Sequence, residues 1–221
     1  EPMTAELCDE ASRQEVGRAL TAERELREQG RRPRGSSGIT ALDRRLPEGG
    51  FARGGLVEWL AVGRGSGASS LALVAAGEAA REGGIVVVID PRSSFYPPAA
   101  AAWGIDVRRL VVVRPGNLSD ALWALDQVLR SDQVASVLAW PERLDGRTFR
   151  RLQLAAEQGG VVGMFVRHER WRREPSWAQT RLLVRPEAGD RGRRIQVEVL
   201  RSRGSQEGET VGLEIDEATG V

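Results

Sequence analysis

The sequence predicts an α/β fold, a mostly parallel sheet flanked by helices and closed by antiparallel strands at its end. Three observations predict it. From Ile39 onward, short apolar runs alternate with helical patterns, as they do when strands are buried on both faces. One such run, Gly55 to Leu60, leads through the glycine-rich loop Val62-Gly63-Arg64-Gly65-Ser66-Gly67-Ala68-Ser69-Ser70 into a helical run, Leu71 to Ala76. That strand–loop–helix order is the setting of a phosphate-binding loop. Finally, the last runs are short and joined by Gly- and charge-rich turns, which suits an antiparallel meander.

Taken in order, Ala5 to Gln29 reads as a charged helix whose apolar stripe, Leu7, Ala11, Val16, Leu20 and Leu26, is ragged. Gly30 to Gly38, rich in Arg, Pro, Gly and Ser, reads as a linker. Residues 1–34 are therefore expected to form an arm and residues 35–221 the core. Strands are predicted at Leu56–Leu60, Ile85–Ile89, Leu110–Val113, Val134–Ala139 and Val161–Val166. Helices are predicted at Ser69–Arg81, Pro98–Trp103, Ser119–Arg130 and Thr148–Gln158. Asn117-Leu118-Ser119-Asp120 supplies N-cap chemistry for the third helix. Leu182–Arg185, Ile195–Leu200 and Val211–Ile215 are the closing strands.

A chain of 221 residues can build one well-buried α/β domain with short extensions, and is too short for two full domains. The formal net charge of +1 gives no global argument for nucleic acid, so any such case rests on local patches. All 32 basic residues are arginine, so no lysine is available to serve a phosphate. The single cysteine, Cys8, excludes an internal disulfide and a cysteine metal site. With only His168, histidine-rich metal sites and a Ser-His-Asp triad lack material. No run is long enough to span a membrane and no signal peptide is read. A cytoplasmic protein is expected.

The loop keeps glycines and hydroxyls but lacks the lysine of G-x-x-x-x-G-K-[ST]. Ala68 stands at the lysine position and Val62 at the first glycine. Backbone donors and the helix dipole survive such a change, whereas the point charge on a transferred phosphoryl group does not. Two readings follow: Gly63, Gly65 and Gly67 make a tight turn with Ser69 capping the helix, or Gly63 to Ser70 binds a nucleotide or anion weakly.

The order of pieces resembles the RecA core. Ser37-Gly38-Ile39-Thr40-Ala41-Leu42-Asp43 and Gly49-Gly50-Phe51-Ala52-Arg53-Gly54-Gly55-Leu56-Val57-Glu58 precede the loop. Gly83-Gly84-Ile85-Val86-Val87-Val88-Ile89-Asp90 and Trp103-Gly104-Ile105-Asp106 follow it. The likeness runs from about Gly35 to Ile215. Within that superfamily, the alanine-rich, lysine-free loop most resembles ImuA (also called SulA-like), the RecA-like component of bacterial mutagenesis cassettes. The resemblance implies a catalytic glutamate at Arg92, in Ile89-Asp90-Pro91-Arg92, and a magnesium-associated aspartate at Trp140, in Ser136-Val137-Leu138-Ala139-Trp140. Neither acid is present. Losing the lysine and both acids removes preorganised charges that each contribute on the order of several kcal/mol to such chemistry. No ATPase activity, no cofactor and no metal are therefore expected. Glu142 and Asp145 read as turn residues rather than a displaced acid pair.

The resemblance further implies DNA-contacting loops after the fourth and fifth strands, here the short connections Pro141–Arg147 and His168–Gln179. The second, with Arg167 immediately before it, carries Arg170, Trp171, Arg172, Arg173 and Trp177. Arginines interleaved with tryptophans suit phosphates and base stacking, or the tryptophans pack on the domain or a partner. Arg201 and Arg203 match the place where RecA offers two basic residues to a neighbour's nucleotide, or they lie on a solvent-facing strand edge. The arm, through Leu7, Val16, Leu20 and Leu26, is expected either to dock onto RecA or to fray. His168 is expected to be a polar strand-end residue.

The expected function is that of a non-catalytic adaptor in DNA-damage-induced (SOS) mutagenesis and translesion synthesis. Its implied partners are RecA, an ImuB-type Y-family polymerase relative and, indirectly, an error-prone replicative-type polymerase, with weak DNA contact and nucleoid association after damage. The alternatives are a DNA-binding RecA-like ATPase or recombination modulator, and a nucleic-acid-binding module acting through Arg170 to Arg173. The cell-division-inhibitor sense of "SulA-like" rests on the label alone.

Overall fold

In a computed structural model the described residues are 34–187, 193–202 and 208–215. An eight-stranded sheet runs through them in the order β10-β9-β8-β3-β7-β6-β4-β5. Its strands are β3 (Leu56–Ala61), β4 (Ile85–Ile89), β5 (Leu110–Val113), β6 (Val134–Ala139), β7 (Val162–His168), β8 (Thr180–Glu187), β9 (Arg193–Ser202) and β10 (Thr210–Ile215). The ladders from β8 through β5 are parallel, and β9 and β10 close the sheet antiparallel. This is the predicted α/β architecture. A separate small ladder pairs β1 (Arg34–Gly35) with β2 (Phe51–Ala52).

Alternation between two covered faces explains why the central strands are mostly apolar. Val57, Trp59, Val86, Val88, Met164 and Val166 point to one face, where α2 (Ala68–Ala79) covers them with Leu71, Ala72, Ala75 and Ala76. Leu56, Val87, Ile89, Val137 and Phe165 point to the other. There they meet α4 (Leu118–Leu129) through Leu125 and Leu129, and α5 (Gly146–Gly159) through Phe149, Leu152 and Ala156. Each fully buried Leu or Phe in these layers contributes roughly 1.5–3 kcal/mol. The Ser136 hydroxyl donates to the Ala76 carbonyl at 2.7 Å, fixing β6 against α2.

Local chemistry sets the element ends. Asn117 Oδ1 accepts from the Asp120 N–H at 2.9 Å, the predicted cap of α4. Asp145 caps α5, accepting from the Arg147 and Thr148 N–H groups at 2.9 Å each. The shorter helices are α1 (Thr40–Asp43) and α3 (Pro97–Ala102). Predicted boundaries shift by up to two residues; β8 and β9 extend further than expected because their antiparallel ladder continues from Thr180 to Glu187.

The end of the expected linker is part of the core. Arg34 and Gly35 are paired with β2, and Ser37 is fully buried. The Asp43 carboxylate accepts from the Ser37 N–H at 2.8 Å and from the Ser36 and Ser37 hydroxyls at 2.6 Å each. The serines that suggested flexibility instead hold a hydrogen-bonded turn in which Ser37 is buried.

One strand carries a charge through the interior. Glu58, in the middle of β3, is fully buried. Its Oε1 accepts from Arg167 Nη1 on β7 at 2.5 Å, and its Oε2 from Arg181 Nε on β8 at 2.7 Å. Arg181 also donates to the Trp171 and Arg172 carbonyls, at 2.9 and 3.0 Å. One carboxylate thus joins three neighbouring strands and pins the turn Glu169–Arg173 above them. Removing one member of such a group strands the others without compensation, which costs about 3–5 kcal/mol. Glu58→Ala is expected to lower stability by about that amount, read as a shift of the urea unfolding midpoint at constant slope.

Candidate functional site

The glycine-rich loop leaves the C-terminal end of β3, the end at which parallel sheets bind ligands. Gly63, Gly65 and Gly67 all have positive φ, at 73°, 75° and 89°. At Gly67 the requirement is double. The residue is left-handed, and a Cβ built there would lie 2.0 Å from Ile195 Cδ1. Ile195, on β9, is fully buried, so its side chain is packed directly against the loop.

Gly67 is the N-cap of α2 and makes no side-chain cap bond. The expected Ser69 cap is therefore corrected, because Ser69 already lies within the first helical turn. Ala68 is buried and belongs to the core cluster. Ser70 is half-buried, and Ser69 is exposed. The Ser69 hydroxyl oxygen accepts a hydrogen bond from the Trp140 indole N–H at 3.0 Å.

In a phosphate-loop NTPase, the loop Ser/Thr and a strand-end aspartate share the magnesium ion. Here the two matching side chains bond to each other, and one of them presents an N–H. An indole N–H is a donor only and cannot ligate a cation. Phe95 lies alongside with its ring centroid 6.3 Å from that of Trp140. Its loop is tied down by buried Asp90, which accepts from the Ser94 and Phe95 N–H groups at 3.1 and 2.9 Å. Arg92, where the resemblance puts the catalytic acid, is exposed and ion-paired with Glu142. Glu142 is thus engaged by a cation, and Asp145 is a helix cap. Among the described residues no group of three His, Cys, Asp or Glu could hold a metal ion. This donor set does not fit a magnesium–triphosphate complex.

The arginine–tryptophan segment is also rearranged relative to expectation. Arg167 is 5 % exposed and bound to Glu58. As a DNA or partner contact it is corrected, because a side chain committed to a buried carboxylate does not reach a ligand. Its guanidinium lies over the half-buried Trp171 ring at 5.2 Å, and that of Arg170 lies over the same ring at 5.1 Å. Arg172 pairs with Glu198 at 2.9 Å, and Arg173 is exposed. Trp177 lies apart from these, beneath Arg150 at 4.7 Å.

Arg201 is corrected as well. Half-buried Arg201 lies beyond Glu198, where the β9–β10 ladder ends, and its guanidinium is committed to the Ser176 and Ala178 carbonyls. Arg203 and the arm residues Leu7, Val16, Leu20 and Leu26 lie outside the described residues. His168 accepts the Arg170 N–H on Nδ1 at 3.1 Å, capping the turn. Glu58 and Arg181 were missed, although a glutamate inside an apolar strand is a readable signal of a buried partner. Phe95 and Ile195 gave no such signal.

The family model of the RecA N-terminal domain matches residues 26–139, half of the chain. The chain belongs to the RecA N-terminal domain family. Among curated relatives, the RecA of Chlorobaculum parvum is 38% identical over 103 residues, covering 47% of this chain and 29% of that protein. That of Picosynechococcus is 38% identical over 98 residues, covering 44% and 28%. That of Chlorobaculum tepidum is 31% identical over 153 residues, covering 59% and 44%. The matched stretches thus span less than half the length of these RecA proteins. The crystal structure of the RadB recombinase superposes with a TM-score of 0.66 at 18% identity, covering 84% of this chain and 97% of that one. At that identity the likeness is one of fold. Among the described residues, no helix is long and apolar enough to cross a membrane.

The loop's dependence on Ile195 can be measured. Gly67→Ala must displace a buried side chain as well as hold a left-handed residue. Gly63→Ala has positive φ but open space around it. Gly63→Ala is expected to cost about 1 kcal/mol, and Gly67→Ala clearly more, compared by thermal denaturation.

Proposed function

We propose that this RecA-family chain is a non-catalytic adaptor in DNA-damage-induced mutagenesis and translesion synthesis, of the ImuA kind. The observation that carries the proposal is the Trp140–Ser69 hydrogen bond. It joins the two positions that would otherwise share a metal ion, while the lysine position is a core alanine. Transition-state stabilisation of phosphoryl transfer is almost entirely electrostatic, and the charges it requires are replaced here by an indole, a methyl group and a paired arginine. A family scaffold with this composition has its surfaces left to act through. The partners we propose are RecA and an ImuB-type Y-family polymerase relative, with an error-prone polymerase reached indirectly and DNA contacted at most weakly. The setting we propose is the bacterial cytoplasm, at the nucleoid after damage.

Phosphate release measured with and without single-stranded DNA is expected to stay at background. Ala68→Lys alone is also expected to stay at background, since both acids remain absent. Turnover by the wild-type chain would overturn the non-catalytic reading. In nuclease-treated extracts of damaged cells, the tagged chain is expected to capture RecA and the polymerase relative. Capture of neither would remove the adaptor role.

A further inference from the structure

α5 presents Arg147, Arg150, Arg151 and Leu154 at positions i, i+3, i+4 and i+7, one flank of a helix. Leu154 is 45% exposed and Trp177, which lines the same groove, 46%. With Asp145 and Gly146 these residues line a mostly apolar groove of about 900 Å³. Its origin lies in the connection from β7 to β8. Parallel strands are usually joined through a helix. Here Glu169 to Gln179 supplies only a short turn and an extended return, with Ala178 packed inward and Trp177 outward. Among the described residues, no helix from this connection covers the flank of α5.

The rim is positive. Arg147 has no ion pair among the described residues. Arg150 lies over Trp177, and Arg151 meets Asp126 on α4 at 3.3 Å. The carboxylate of the lining, Asp145, is turned into its own helix. Hydrogen bonds from the Thr148 N–H and then the Thr148 hydroxyl hold its carboxyl below the usual aspartate range. The helix N-terminus adds to the positive potential.

We infer that this groove docks an amphipathic helical segment of a protein partner, with an apolar ridge against Leu154 and Trp177 and carboxylates facing Arg147 and Arg150. Tryptophan and arginine around an apolar centre are the residue types that carry most binding energy at interfaces, and helix-in-groove docking uses this pattern of anchors. Single-stranded nucleic acid fits less well. Such binders offer successive open aromatic faces, whereas here a single ring is exposed and Arg150 already stacks on it. The inference deepens the adaptor reading and rests on it for its biological use.

The probe is a short fluorescein-labelled helical peptide with Leu and Trp along one face and Glu on the others, followed by anisotropy with the full chain. A scrambled peptide of the same composition and an unlabelled oligo-dT competitor accompany it. Saturable binding is expected, absent for the scrambled peptide and undisturbed by oligo-dT. Arg147→Glu and Leu154→Glu, both at exposed positions and checked for folding by circular dichroism, are each expected to weaken it about tenfold or more. Binding that is absent, unchanged by both substitutions, or displaced by oligo-dT would overturn the inference. RecA capture by the same variants separates the two ideas. Peptide binding that obeys these expectations while the wild-type chain captures neither proposed partner sinks the adaptor reading and leaves the groove standing.

Discussion

A carboxylate in the middle of a sheet strand must be neutralised where it lies, and Glu58 organises its surroundings by that requirement. Desolvating a charge costs several kcal/mol, offset only when its partners are close and their remaining donors satisfied. Arg167 and Arg181 meet the first condition from the two flanking strands. Arg181 meets the second by donating onward to the Trp171 and Arg172 carbonyls. The turn after β7 is thereby held on the sheet by arginine side chains where parallel strands would usually be bridged by a helix. Two functional consequences come from this one arrangement. Arg167 is withdrawn from the surface, and the outer flank of α5 is left open beside Trp177.

Beyond the C-terminal end of β3, the same strand delivers a glycine-rich loop that lacks the side chains of a phosphate-binding site. The replacements form a consistent set. Trp140 spends its one donor on the Ser69 hydroxyl, Phe95 packs beside the indole, and Ile195 presses on Gly67 from β9. Arg92 and Glu142 neutralise each other across the loops after β4 and β6. Each substitution alone would weaken a catalytic site, and together they give the region its own internal packing. That self-sufficiency is why we read the chain as a binding protein.

Much of the architecture was legible because its determinants are local. Apolar runs at strand length, the Asn117 cap and the glycine-rich loop each carry their own signal, so β4, β5 and β6 fall where the periodicity puts them. The altered site was legible in its losses, since Ala68, Arg92 and Trp140 can be counted along the chain. What filled the losses was not legible. The contacts of Trp140 with Ser69, of Ile195 with Gly67 and of Arg181 with Glu58 join residues far apart in sequence, and no spacing rule connects them. Arg167 shows the limit most clearly, because beside Arg170 and Trp171 in sequence it reads as part of a basic patch, and strand register alone sends it into the core opposite Leu60. The groove escaped notice for a similar reason, since Trp177 meets α5 only after the chain has returned across the sheet.

The central proposal, that Trp140 rather than a metal ion engages the Ser69 hydroxyl, is tested most directly by following the Trp140 indole N–H resonance, assigned through Trp140→Phe, during titration with magnesium and ATP. A resonance that stays in place across the titration is the result this account predicts. A saturable shift that requires both magnesium and ATP would mean that the Ser69 hydroxyl is released to a metal ion, and would contradict it.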